Sequence, residues 1–352
     1  MSAAAILLVG TSLPGYRLAG WEKNPHAASA ETLGGVPIAC AEILGCSLIY
    51  RTLEYFAQGG ITSFAVLVDD GVLRTVGQTL VNPQPAWSVQ MVPFSSESEV
   101  WPAIERTIGN YFANHFDHVF LLWSDAYVEL DLDDVLQFSR DNQHSPVHIH
   151  DRLGPLGIWL LSSQWQTNQL RSARHETSFK TYFCNDYVNR FSRVRDIRRF
   201  AQDLFVSRCA ARPCGNEIRP GIWVNEGAQL HRQARVVPPA YIGKNTKVGA
   251  AALVTRASSI ERDCNVDYGT VIEDSSILAG TYIGIGLDVA HSVVSGSHLV
   301  HLHQNLAMEI QDEVLIGINR PTRLAETFRR RTQMIPHTLS TKVQRVHSKG
   351  VL

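Results

Sequence analysis

The sequence predicts an α/β fold in two parts: a mostly parallel N-terminal sheet covered by helices, then a C-terminal stack of parallel β-coils. Two observations carry this. Up to about residue 215, short apolar runs alternate with longer amphipathic stretches, the pattern of a sheet with helices on its faces. From Val224 onward a six-residue period replaces it. Composition agrees, because a chain of 352 residues with 45 % hydrophobic and 18 % charged residues is neither disordered nor collagen-like. The formal net charge of −1, from 32 basic and 33 acidic residues, offers nucleic acid no general attraction. No apolar run reaches the roughly 18 residues that a membrane helix needs. The six cysteines form no Cys-x-x-Cys pair and read as reduced thiols, which predicts a cytoplasmic protein.

Taken in order, residues 5–9 form a continuous apolar run ending at Gly10. They read as a buried strand, not a targeting segment, since a basic leader and a cleavage-type ending are missing. Residues 61–68 and 118–123 read as further buried strands, and 146–150 and 156–161 as weaker ones. Residues 37–58 predict a helix, with Pro37 suited to its first turn and Gly59-Gly60 to its stop. A second helix is predicted over 97–115, with Trp101, Ile104, Ile108 and Phe112 on one face. A third follows Asp131 and carries Val135, Leu136 and Phe138.

Stepping by six from Val224 to Leu278 meets Val, Ile or Leu at all ten positions. With such residues at about one position in four, chance gives this on the order of one time in a million. Four residues after each, nine of the ten are small, Tyr282 being the exception. Neither helix nor simple strand periodicity yields this pattern. One large and one small inward residue per hexad describe a flat strand and a corner, and three such sides close a triangular coil. Gly243, Gly249, Gly269 and Gly280 fall near the corners, where positive φ or close approach is useful. The register slips after Leu278, with Ile283 one residue early, and residues 299–318 are placed to cover the end of the stack.

Ligands in a parallel sheet sit beyond the carboxyl ends of the strands. Two places qualify. The turn from Gly10 through Thr11, Gly15 and Arg17 could offer amides and a cation to phosphates, or be an ordinary glycine-bearing loop. Asp125, two residues past an apolar run, is placed to hold a hard cation such as Mg²⁺, whereas Asp131 and Asp133 read as helix-capping residues. Late in the coils, His291, His298, His301 and His303 cluster.

Together these pieces resemble the sugar-phosphate nucleotidyltransferases that carry a C-terminal hexapeptide-repeat domain, such as mannose-1-phosphate guanylyltransferases. The resemblance rests on four stretches: residues 5–10 as first strand and loop, 44–61 as the helix before the second strand, 120–128 as the strand ending in a metal-binding aspartate, and Gly157-Ile158-Trp159-Leu160 as a later strand. It implies a Rossmann-like nucleotidyltransferase domain over 1–215, a left-handed parallel β-helix over 216–318 and a basic tail over 319–352. It further implies Mg²⁺-dependent reaction of a nucleoside triphosphate with a sugar 1-phosphate. Gly10, Thr11 and Gly15 would meet the nucleotide, Arg17 and Lys23 would serve catalysis, and Asp125 with Asp186 would bind the metal. A homo-oligomer is expected, because stacked repeat domains commonly associate.

Where the family's loop reads Gly-Gly-x-Gly-Thr-Arg and then Pro-Lys, this chain has one early glycine and Lys23-Asn24-Pro25. Lys23 and Lys180 are the lysines of residues 1–215. Two alternatives therefore stand beside the transferase: a regulatory or scaffold subunit that binds nucleotide sugars without turnover, and a hexapeptide acyltransferase using one of the late histidines. Arginines are dense over 190–212, and from Arg320 onward eight basic side chains face Glu326 alone. Such stretches read as contacts to an anionic partner, or as a solvated tail or a helix packing on an acidic neighbour.

Overall fold

The N-terminal sheet is built around β1 (Ala3–Val9). After it come the two-residue strands β2 (Glu42–Ile43) and β3 (Cys46–Ser47), α1 (Leu48–Gln58), β4 (Ser63–Asp69) and α2 (Leu73–Thr79). Next are β5 (Ser88–Phe94), α3 (Glu97–Ala113), β6 (His118–Trp123), β7 (Tyr127–Val128) and α4 (Leu132–Asp141). The run closes with β8 (Val147–Asp151), β9 (Gly154–Ser162), β10 (Lys180–Phe183), β11 (Val188–Asn189) and α5 (Val194–Phe205). This computed structural model describes residues 2–10, 37–80, 87–164 and 179–320.

Seven strands form one sheet in the order β10-β8-β9-β6-β1-β4-β5. β1 pairs in parallel with β4 and β6, β4 with β5, and β8 with β10; β9 runs antiparallel to both its neighbours. β1 is apolar throughout because both its faces are covered. Ala5, Leu7 and Val9 pack under α1 and α4, while Ala4, Ile6 and Leu8 pack against α3. Trp101 and Phe112 of the expected α3 face are only half-buried; Val100, Ile104 and Ile108 carry the contact. α2, β5 and β10 are not anticipated from the pattern. β5 and β10 are edge strands with mostly half-exposed side chains, so burial leaves little mark on their sequence.

One expected helix is half wrong. Residues 37–58 do not form a single helix: a 3₁₀ turn (Ile38–Cys40) leads into the β2–β3 hairpin, and α1 begins at Leu48 with Ser47 as its N-cap. The break lies at Leu44 and Gly45, which take φ of +50° and +82°. Their amides are drawn to the carboxylate of Glu261, more than 200 residues away. That partner is invisible to a local pattern.

The C-terminal strands form three sheets, each built from strands that follow one another every third strand and pair in parallel. This arrangement is compatible with a β-helix. The coil step is 18 residues, as in Gln229↔Lys247 and Leu253↔Val271, and becomes 17 from Ser259↔Ser276 onward. The shortening thus occurs around Asp274 and Ser275, not after Leu278. Ile260 sits over Ile277, which is fully buried in the coil interior, while Leu278 turns out against α5 and the hairpin. With this register the small column runs through Ser275 and Thr281 in place of Ser276 and Tyr282. The column is small for a reason: Thr246 Oγ1 donates to the Glu261 carbonyl at 2.6 Å and Ser258 Oγ to that of Ile272 at 3.2 Å, filling acceptors between coils.

The corner glycines divide as expected. Gly269 has φ +69°, whereas a Cβ on Gly243 would strike the backbone of Glu261 and Arg262 in the next coil. Gly243→Ala is therefore expected to lower stability by about 1–3 kcal/mol in a urea melt, since backbone cannot step aside. Antiparallel strands end two of the sheets: His298–His301 and Leu306–Glu309 continue one, and Ile316–Ile318 closes another on Thr281–Ile283. This matches the covering role expected of residues 299–318. Among the described residues no helix is long and apolar enough to cross a membrane.

Candidate functional site

Register puts the two expected groups just past the same end of neighbouring strands. β1 and β6 pair in parallel from Ala3↔His118 to Leu8↔Trp123, and Gly10 and Asp125 each follow that last pair by two residues. Ser124 keeps the chain latched there, donating to the Leu8 carbonyl through its amide at 3.2 Å and its hydroxyl at 2.6 Å. On the other flank, Val9↔Val68 sets Asp69 beside Gly10. Asp69 Oδ1 accepts from the Gly71 amide and Asp70 Oδ2 from Ser95 Oγ, so these carboxylates order the turn that follows β4. The sequence reading passed them over. Thr11, Gly15, Arg17 and Lys23 lie outside the described residues.

Burial pushes the Asp125 carboxyl up to about 6, outweighing its own amide N–H and the Arg190 guanidinium, which favour the charged form. Arg190 is itself engaged. It forms a two-point pair with Asp151 and donates to the carbonyls of Gly154 and Pro155, clamping the β8–β9 hairpin. Nearby, His148 stacks on Trp159 with centroids 3.9 Å apart, and burial pushes its imidazole down to about 3. It is a neutral packing group. Arg152 at the hairpin turn is exposed.

Asp186, the second expected metal ligand, is not gathered with Asp125. β11 runs antiparallel to β7 with Val188↔Val128 and Asn189↔Tyr127, and the Glu129 amide donates to the Tyr187 carbonyl, so Asp186 lies toward the carboxyl end of β7 whereas Asp125 precedes its amino end. Asp186 instead acts on Tyr55 and Cys184. Spacing along the sequence contains nothing of this pairing.

Of the late histidines, three converge. Glu273↔Ala290 stacks two coils so that Asp274 meets His291, whose Nδ1 lies 2.7 Å from Asp274 Oδ2. His303 stacks on His291 with ring centroids 3.9 Å apart, and His301 lies 6.3 Å from each. His298 is at the far end of the strand that carries His301. The arginines of 190–212 are largely spent inside the molecule: Arg198 on Asp274 and two carbonyls, Arg195 on the Leu302 carbonyl, Arg208 on Asp203. That supports the reading of this stretch as a helix packing on acidic neighbours. All six cysteines are free of disulfides. No protein-family model matches the chain, and no curated protein is significantly similar to it.

Proposed function

We propose that the chain is a nucleotidyltransferase acting on a nucleoside triphosphate and a sugar 1-phosphate, with a Rossmann-like N-terminal domain and a left-handed β-helix as its C-terminal domain. The observation that supports this reading is that Gly10 and Asp125 each follow the last paired residues of adjacent parallel strands by two residues, at the strands' carboxyl ends. A glycine there lets phosphates approach the backbone, and the carboxylate stands where a hard cation and the phosphates would meet. In the reaction, a phosphate oxygen of the sugar 1-phosphate bonds to the α-phosphorus as the bond to the pyrophosphate leaving group breaks.

Mg²⁺ commonly takes one or two carboxylates and fills its shell with water and substrate oxygens, and Asp125 is the carboxylate past the end of β6. Asp125 would hold it; when bound, the ion supplies charge neutralisation on the triphosphate. Around it the chain's own residues would meet the substrates: Gly10 the nucleotide, and Arg17 and Lys23 the phosphates. Asp69, Asp70 and Asp125 make the rim acidic, so these cations are needed for an anionic substrate to enter.

The test is pyrophosphate release with a panel of nucleoside triphosphates and sugar 1-phosphates. Asp125→Asn should lower the rate about 100-fold or more. Because the Asp125 carboxyl titrates near 6, activity should rise between pH 5 and 7 as its charge appears. Absence of both turnover and nucleotide-induced thermal shift would overturn the reading. A second reading, a nucleotide-sugar-binding regulatory subunit, is favoured by the separation of Asp186 from Asp125. It predicts a thermal shift with nucleotide sugars and no turnover.

A further inference from the structure

We propose that Asp274, His291 and His303 form a binding site for a divalent transition-metal ion of the zinc class, which clips the terminal hairpin onto the coil stack. The ligand atoms of these three residues all lie within 4.8 Å of one another. A tetrahedral ion with bonds of about 2.0–2.2 Å needs its donors about 3.3–3.6 Å apart, so a small side-chain rotation closes the set. Two imidazole nitrogens and one carboxylate oxygen suit zinc, cobalt or nickel and not the all-oxygen preference of magnesium or calcium. Three protein donors with one position left to solvent are a common arrangement for such an ion. His303 is exposed and His291 half-buried, so an ion can reach them from outside.

The surroundings already hold the ligands in place. Arg198 Nη2 and Nε and Gln202 Nε2 all donate to Asp274 Oδ1, at 2.7, 3.2 and 3.0 Å, which turns Oδ2 toward the imidazoles. Outer contacts of this kind orient metal ligands. The backbone does the same for the histidines: the His291 amide donates to the Glu273 carbonyl at 3.0 Å, and the Leu302 amide to the His291 carbonyl at 2.8 Å. Each ligand comes from a different segment. Asp274 follows the strand Val271–Glu273, His291 the strand Asp288–Ala290, and His303 the strand His298–His301. An ion here therefore ties the antiparallel end piece to two successive coils. Without it, the His291 Nδ1 contact to Asp274 occupies part of the same space, and an ion taken up at Nδ1 requires the tautomer with its proton on Nε2. The Arg198 charge on the far carboxylate oxygen opposes the ion, so half-saturation is expected on the order of micromolar.

The experiment uses the full chain, stripped with a chelator and titrated with Co²⁺ for its visible d–d bands and with Zn²⁺ for its thermal shift. Wild type should show tetrahedral Co²⁺ absorption and a rise in Tm with Zn²⁺, but no Tm rise with Mg²⁺ at the same concentration. His303→Ala changes an exposed side chain, so it should keep the metal-free Tm and lose Co²⁺ affinity by about ten- to a hundredfold. His298→Ala should bind as wild type does. Absence of tetrahedral bands in wild type overturns the site, as does equal binding by wild type and His303→Ala, or equal loss in His298→Ala. None of these outcomes depends on nucleotide, so the cleft and this site stand or fall separately.

Discussion

Replacing Glu261 with alanine is expected to destabilise the protein by about 2–5 kcal/mol in urea unfolding. Glu261 is buried in a coil, and its two carboxylate oxygens accept the amides of Leu44 at 2.8 Å and Gly45 at 2.9 Å. Each buried amide left without an acceptor costs about 1–3 kcal/mol, and both lose theirs together. The β2–β3 hairpin they belong to would then lose its main tie to the coils, while the neighbouring Arg262–Glu42 pair, partly exposed, would hold little. Burial also pushes the Glu261 carboxyl up to about 8 from an ordinary 4.5, outweighing the two amide bonds. The sign of the pH effect follows. A folded state that keeps a proton which the unfolded chain releases is favoured at low pH, so this contribution is full below 4.5 and is lost as pH rises through 8. Glu261→Gln, which cannot titrate, should flatten that slope. Equal slopes for the two proteins would show that Glu261 is already ionised when folded.

Arg198→Ala should cost about 3–5 kcal/mol, measured in the same way. Its guanidinium is 3 % exposed and bonds Asp274 Oδ1 and the carbonyls of Arg256 and Ala257, fastening α5 to a corner of the coils. Removal strands two acceptors and leaves Asp274 with His291 and Gln202, besides opening a cavity. Burial raises the Asp274 carboxyl, but the bonds from His291 and Arg198 outweigh it and hold the group below its ordinary 3.8. A depressed carboxylate contributes stability above 3.8 that is lost as pH falls further. In Arg198→Ala the folded carboxyl moves back toward 3.8, so the acid-side loss from this group should be smaller than in wild type.

The strands β1, β4 and β6 were legible because full burial on both faces writes an uninterrupted apolar run. The edge strands β5 and β10 were not, since half-exposed residues carry no such constraint. In the site, Asp125 stood out by its place after a strand, and the pairing of β1 with β6 puts Gly10 past the same end of the neighbouring strand. Asp186 is a candidate only through the family resemblance, and the antiparallel pairing of β11 with β7 puts it toward the other end of β7 from Asp125. Asp69 and Asp70 left a signal that could have been read, a carboxylate pair directly after the apolar run of β4. Asp274 left none, because its partners come from coils 17 residues on and from α5.

From the residues alone, the order of the two architectures, the hexad column and its corner glycines, and the strand-end aspartate were determined; each is a local repetition or a burial pattern that sequence records directly. Tertiary structure decided the shortening of the coil at Asp274, the hairpin that cuts into α1, the isolation of Asp186 and the meeting of Asp274 with His291 and His303. All four depend on which segments lie across from one another. Pairing register and long-range hydrogen bonds set that, and their energies appear only once the distant partners are in contact.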